Sequence, residues 1–113
     1  METKSIVRAL AAIAHESRLK AYRYLVQAGP AGLPAGQLSE LVGIAPSSLS
    51  FHLKELLNAG LLSSRQEGRF VFYSAEYEVM NSLLTYLTEN CCGGNPCSPV
   101  SLDACAVTQK TRA

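Results

Sequence analysis

Apolar side chains recur with a helical period through most of the first 90 residues, and glycine or proline marks each interruption. Ile6, Val7, Leu10 and Ile13 form one stripe, which predicts a first helix over Thr3 to Ile13. A second helix follows, with Leu19, Tyr22, Leu25 and Val26 at helical spacing and Ser17 placed to cap it. Gly29-Pro30 stops it. Gly29 to Pro34 reads as a loop, and Ala35 to Val42 as a short helix carrying Leu38 and Leu41, ended by Gly43 in a position suited to left-handed backbone. Pro46 then fits the first turn of a fourth helix, Pro46 to Asn58, with Leu49, Leu53, Leu56 and Leu57 inward and Gly60 closing it.

The pattern changes period after Gly60. Residues 61–65 (LLSSR) and 70–74 (FVFYS) are strand-like, joined across Gln66-Glu67-Gly68-Arg69, and predict a β-hairpin. A last helix, Glu76 to Glu89, carries Val79, Met80, Leu83, Leu84 and Leu87, a stripe too apolar for one solvated helix. It is expected to pack on the first helix across a homodimer interface. The architecture is mainly α with a β-hairpin wing, and the two helices around the Gly43 turn form a helix-turn-helix unit.

The outer face of the fourth helix is small, polar and rich in donors: Ser47, Ser48, Ser50 and Lys54, with Phe51 and His52 beside them. In a helix-turn-helix the second helix presents such residues to the base edges of a DNA groove. Serines also favour the first turn of any helix, and His52 could as well pack against the turn. Arg65 and Arg69 flank the wing turn, where they could meet phosphate or the minor groove. His15 reads as a surface or capping group and Tyr73 as wing packing.

Composition sharpens this picture. The chain has 113 residues, 48% of them hydrophobic, which supports one small domain for which dimerisation would help. Its net charge of +1 conceals a polarity: residues 1–75 hold eight basic and five acidic side chains, residues 76–113 two basic and four acidic. A dimer doubles the positive end, enough to matter for a phosphate surface. No apolar run approaches the ~18 residues needed to span a bilayer, and the charged start does not suit a signal peptide. A cytoplasmic protein without a membrane partner is expected.

All four cysteines fall after residue 90. Cys91, Cys92 and Cys97 are brought together by a Gly93-Gly94 hinge, and Cys105 follows. In a reducing compartment such a cluster points to soft-metal binding or redox work before a structural disulfide. Residues 1–90 thus read as the folded domain and 91–113 as a sensor tail. Enzymatic use of Cys91 or Cys92 lacks support, because the sequence offers no paired carboxylates, phosphate-cradling loop or Cys-His neighbour.

The run 44–62, IAPSSLSFHLKELLNAGLL, followed by a glycine-containing wing and Tyr73, resembles the recognition helix and wing of the ArsR/SmtB family of metal-responsive repressors. The resemblance covers roughly Ile6 to Leu87. It implies a dimeric winged helix-turn-helix protein that holds operator DNA without a cofactor until an inducer binds. Family sensors built on the third helix use a Cys-x-Cys pair, which residues 35–42 lack, and those on the last helix use Asp and His, whereas the only histidines are His15 and His52. The tail resembles arsenite-sensing members with a vicinal cysteine pair and a third cysteine after the last helix. The resemblance therefore implies As(III) or Sb(III) on Cys91, Cys92 and Cys97. A four-thiolate zinc or cadmium site recruiting Cys105 and a thiol-redox switch stay open beside it.

Overall fold

The computed structural model describes residues 2–94, which form five helices and a three-stranded sheet. Helix α1 spans Thr3–Ile13, α2 Glu16–Ala28, α3 Ala35–Val42, α4 Pro46–Asn58 and α5 Tyr77–Thr88. Strand β1 is Leu33–Pro34, β2 Leu62–Glu67 and β3 Phe70–Ala75, arranged β1-β3-β2 with both pairings antiparallel. The helical order and the hairpin agree with the sequence reading. Four details differ.

The loop expected at Gly29 to Pro34 contains β1, which pairs Leu33 with Tyr73 and Pro34 with Phe72. Two residues are too few to display strand alternation, so only the tertiary partner creates the strand. Gly32 makes the approach possible: its φ is +72°, and a Cβ there would lie 2.2 Å from the Tyr73 carbonyl oxygen. The cap of α2 is His15, two residues earlier than expected, because its imidazole Nδ1 accepts the Ser17 N–H at 3.2 Å and does the work assigned to the serine hydroxyl. The hairpin turn is the two residues Gly68-Arg69, tighter than expected, since pairing continues to Glu67 and Phe70.

The fourth difference concerns α1. Its core face is Ile6, Ala9 and Ala12, whereas Val7 and Leu10 point outward, 57% and 38% exposed. Small alanines let α1 lie close to the body, and the large side chains are left for another surface. Leu19 and Leu41 are likewise exposed, so the stripes of α2 and α3 are only partly interior. The centre of the fold is Leu25, Leu38, Leu49, Leu53, Leu56 and Leu61, each fully buried. Burying one leucine side chain contributes about 1.5–3 kcal/mol, so these six anchor α4 against α2, α3 and the start of the wing.

The turn between α3 and α4 is fixed by short-range bonds. Gly43 is left-handed (φ 82°, ψ 34°) and its N–H reaches the Ser39 carbonyl at 2.9 Å. The buried Ser39 hydroxyl donates to the Ile44 carbonyl at 2.7 Å, closing the far side of the turn. Pro46 occupies the first turn of α4, where its missing N–H costs nothing.

Candidate nucleic-acid interface and the cysteine-bearing turn

Because Leu49, Leu53 and Leu56 hold one side of α4 in the core, the opposite side is forced into solvent. Ser47, Ser48, Ser50, Phe51 and Lys54 are all exposed there, and His52 is half-buried at the edge. No carboxylate interrupts this strip from Ser47 to Lys54. It offers hydroxyl donors and acceptors at the helix start, an ammonium one turn on, and an apolar ring in Phe51, 55% exposed.

His52 is the most constrained member. Arg18, on α2, donates from Nε to His52 Nδ1 at 3.1 Å, and its guanidinium lies 5.7 Å from the Phe51 ring centre. The His15 ring is tilted against that of His52 with centroids 4.5 Å apart. Partial burial, then His15, then Arg18 hold the His52 pKa below the ordinary histidine value. His52 therefore stays neutral further into the acid range than a free imidazole. Sequence reasoning missed Arg18 because it belongs to a helix that otherwise builds the core, 34 residues from its partner.

The wing arginines differ from each other. Arg65 donates to the Glu67 carboxylate at 2.6 Å and to the Ala31 carbonyl at 2.9 Å, with its guanidinium 5.0 Å from the centre of the Phe72 ring. It braces the wing against the loop before β1. Arg69 sits at the exposed turn beside Phe70, 58% exposed. Tyr73 is half-buried and pairs with both neighbouring strands, in keeping with a packing role.

Beyond α5 the chain turns sharply. Asn90 (φ 59°), Cys92 (φ 55°) and Gly93 (φ 66°) are all left-handed, so Cys91 and Cys92 lie on a tight turn directly after the last helix. Cys91 is half-buried, and Cys92 is exposed and disulfide-bonded. The expected ligand Cys97 and the possible fourth ligand Cys105 lie outside the described residues. Among the described residues no three His, Cys, Asp or Glu side chains come together as a metal-binding group. None of the described helices is long and apolar enough to cross a membrane.

Large apolar side chains remain outward on α1 and α5: Val7, Leu10 and Leu87. Next to them Ile13, Leu19, Tyr22, Val26, Met80, Leu83 and Leu84 line an apolar groove. The Tyr22 hydroxyl is buried there without a hydrogen-bond partner among the described residues, and burial, then Tyr77, push its pKa up to about 12. The hydroxyls of Thr3 and Tyr86 are hydrogen-bonded, linking the start of α1 to the end of α5. Arg8, further along α1, reaches the Asn58 carbonyl at the end of α4 at 3.3 Å.

A buried-sided recognition helix following a glycine turn, with a sheet-borne hairpin beside it, defines a winged helix-turn-helix DNA-binding protein. A family model described as a helix-turn-helix domain matches residues 13–65. The chain is 35% identical over 81 residues to the arsenical resistance operon repressor of Bacillus subtilis, spanning 72% of this chain and 73% of that one. It is 30% identical over 83 residues to the HTH-type transcriptional regulator YgaV of Escherichia coli, spanning 74% and 82%. Among solved structures, reduced HlyU from Vibrio cholerae superposes with a TM-score of 0.62 at 32% identity, covering 80% of this chain and 92% of that one. The homodimeric winged helix-turn-helix domain of Mb0332 from Mycobacterium bovis gives 0.63 at 20% identity, with coverage of 84% and 88%. The chain belongs to the ArsR family of transcriptional repressors.

Proposed function

We propose that this chain is a homodimeric repressor that holds operator DNA through Ser47, Ser48, Ser50, Phe51, His52 and Lys54 of α4 and through Arg65 and Arg69 of the wing. Trivalent arsenic or antimony, bound by Cys91, Cys92 and Cys97, releases it. The observation that carries the inducer reading is the vicinal pair Cys91-Cys92 on a left-handed turn directly behind α5. Residues 91–113 supply four thiols and no imidazole, which suits a soft metalloid better than a hard cation. The likeness to an arsenical resistance repressor points the same way.

Homodimer formation through α1 and α5 is supported by the outward Val7, Leu10 and Leu87, by the adjoining apolar groove, and by the homodimeric relative of the same fold. In this reading residues 91–113 are the sensor. Closing three thiolates around one ion reorganises the turn at the end of α5, and any displacement of α5 changes the dimer seam. The two recognition helices then lose the spacing of about 34–36 Å that matches successive major grooves, and DNA is released.

The test is fluorescence anisotropy of a labelled operator duplex, selected with the wild-type protein from a randomised library, titrated with arsenite under a phosphine reductant. Release is expected for wild type and lost in Cys91→Ser and Cys92→Ser, with DNA binding retained. Persistent release in both variants refutes the site. Zinc and cadmium titrations, with Cys105→Ser alongside, test a four-thiolate site.

A second reading has its own support: the Cys92 disulfide and the likeness to reduced HlyU. Here oxidation of two tail thiols to a disulfide, with both electrons passing to an oxidant such as diamide, is the signal. Release by diamide together with indifference to arsenite under reductant would favour it over the metalloid reading.

A further inference from the structure

A donor cluster beside α4 shares His52 with the recognition surface assigned above and extends it to His15 and Arg18, which that surface does not include. His15 caps α2 with Nδ1, accepting the Ser17 N–H at 3.2 Å, and His52 Nδ1 accepts the Arg18 Nε–H at 3.1 Å. Both donors are N–H groups, so each Nδ1 must be the unprotonated nitrogen. The ring proton of each neutral imidazole is therefore on Nε2.

Two Nε2–H donors thus belong to rings 4.5 Å apart. The Arg18 guanidinium that orders one of them spends only its Nε on that bond, and no ion pair engages its terminal nitrogens among the described residues. The nearest acidic neighbour in sequence, Glu16, is turned to Lys20 at 3.5 Å. Glu55 shares a cleft with Arg18, Arg8 and Asn58 on the side toward α1.

This arrangement is wrong for a cation. A metal would have to displace the Nε2 proton or break the Nδ1 bond of both rings, and Arg18 would stand against it. It is right for an oxyanion, which accepts from imidazole N–H groups and from a guanidinium. The cluster sits where α2 meets the middle of α4, with Arg18 over Phe51 of the exposed strip.

We propose that His15, Arg18 and His52 form a clamp for one phosphodiester of the DNA backbone beside the recognition helix. The clamp fixes register and adds affinity without reading sequence. It rests on the DNA-binding reading of α4 and adds α2 to the interface. Arg18 has two tasks in it: it donates to the phosphate, and it sets the His52 tautomer that makes His52 a donor.

The salt dependence of binding to a mixed-sequence duplex tests this, because each phosphate contact contributes about 0.9 to the slope of log K against log salt. Arg18→Gln should lower the slope by about 2 for a dimer, and Arg18→Lys should largely restore it. Should Arg18→Gln fold poorly, His15→Asp keeps the fold testable, since aspartate is a better helix cap than histidine. It places a carboxylate in the clamp and should weaken DNA binding tenfold or more with an equal or higher melting temperature. An unchanged slope in Arg18→Gln, or unchanged affinity in His15→Asp, overturns the clamp.

Lys54→Ala in the same titration separates the two levels of the claim. If it lowers the slope while Arg18→Gln does not, α4 binds DNA and the clamp alone fails; a wild-type protein without salt-dependent binding fails the underlying reading. Inorganic phosphate titrated against the imidazole proton resonances distinguishes a free anion. Saturation with free phosphate, together with an unchanged DNA slope in Arg18→Gln, would make this a small-anion site and refute the backbone assignment.

Discussion

Gly32→Ala should detach β1 from the sheet. At φ +72° an alanine adopts left-handed backbone, which costs about 1–2 kcal/mol. The new Cβ would also stand 2.2 Å from the Tyr73 carbonyl oxygen and 2.9 Å from its carbon, both backbone atoms that no rotamer change can move. Relieving such overpacking typically costs about a further 1–3 kcal/mol. Tyr73 is the partner of Leu33, so the strand that must retreat is the one the pairing depends on. Gly43→Ala is the matched control: it is left-handed at φ 82° and ψ 34°, yet nothing lies within 4 Å of the added carbon. Gly43→Ala should therefore show the backbone cost alone, and Gly32→Ala an additional loss of about 1–3 kcal/mol, or roughly 4 °C or more in melting temperature for a domain of this size. Thermal unfolding by circular dichroism at one fixed protein concentration measures both, since the proposed dimerisation would make the midpoint concentration-dependent. Equal midpoints for the two variants would refute the argument that close approach, rather than backbone freedom, demands a glycine here.

Three further outcomes are expected. Leu87→Glu places a charge on the outward face of α5 and should shift the protein from dimer to monomer in sedimentation velocity, with its far-UV spectrum preserved; an intact dimer would remove α5 from the interface. Tyr22→Phe deletes a buried hydroxyl that has no partner among the described residues, so denaturant unfolding should show unchanged or higher stability; a loss beyond about 1 kcal/mol would mean that the hydroxyl is satisfied across the dimer. His52 has a folded pKa below the ordinary histidine value of 6.5, so the unfolded chain takes up its proton first on acidification. Stability from this residue is complete above pH 6.5 and is lost as pH falls from there through the folded value. A melting-temperature profile between pH 7.5 and 5, flatter in His52→Gln than in wild type, is the expected readout, and parallel profiles contradict it.

The sequence was informative wherever a residue's structural role is decided by near neighbours. Leu49, Leu53 and Leu56 share one side of α4 at helical spacing, and their burial leaves Ser47, Ser50 and Lys54 outside. Gly43 and Pro46 bound the turn between α3 and α4 for reasons local to each residue. What stayed hidden is decided by partners far along the chain. β1 exists only because β3 lies beside it, and His15 and Arg18 join the recognition helix only when α2 crosses α4. Val7 and Leu10 illustrate a different limit. Hydrophobicity marked them for burial, but the periodicity of α1 cannot distinguish its own core from a partner's surface, and alanines took the inner face.

In the proposed reading, the route from tail to DNA can be weighed in energy. Within one chain, the Thr3–Tyr86 bond joins the end of α5 to α1, and Arg8 joins α1 to the last carbonyl of α4. Both bonds are exposed, and a typical hydrogen bond contributes only about 0.5–1.5 kcal/mol net. Near-complete switching of a two-state equilibrium needs about 5.5 kcal/mol of differential binding. These two bonds can steer α1 but are too weak to drive the transition. Apolar contact has the required scale, because each large side chain transferred into or out of a seam changes the balance by about 1.5–3 kcal/mol and a twofold axis doubles every term. Val7, Leu10 and Leu87, outward on α1 and α5, are therefore where inducer binding would be converted into a changed spacing of the recognition helices.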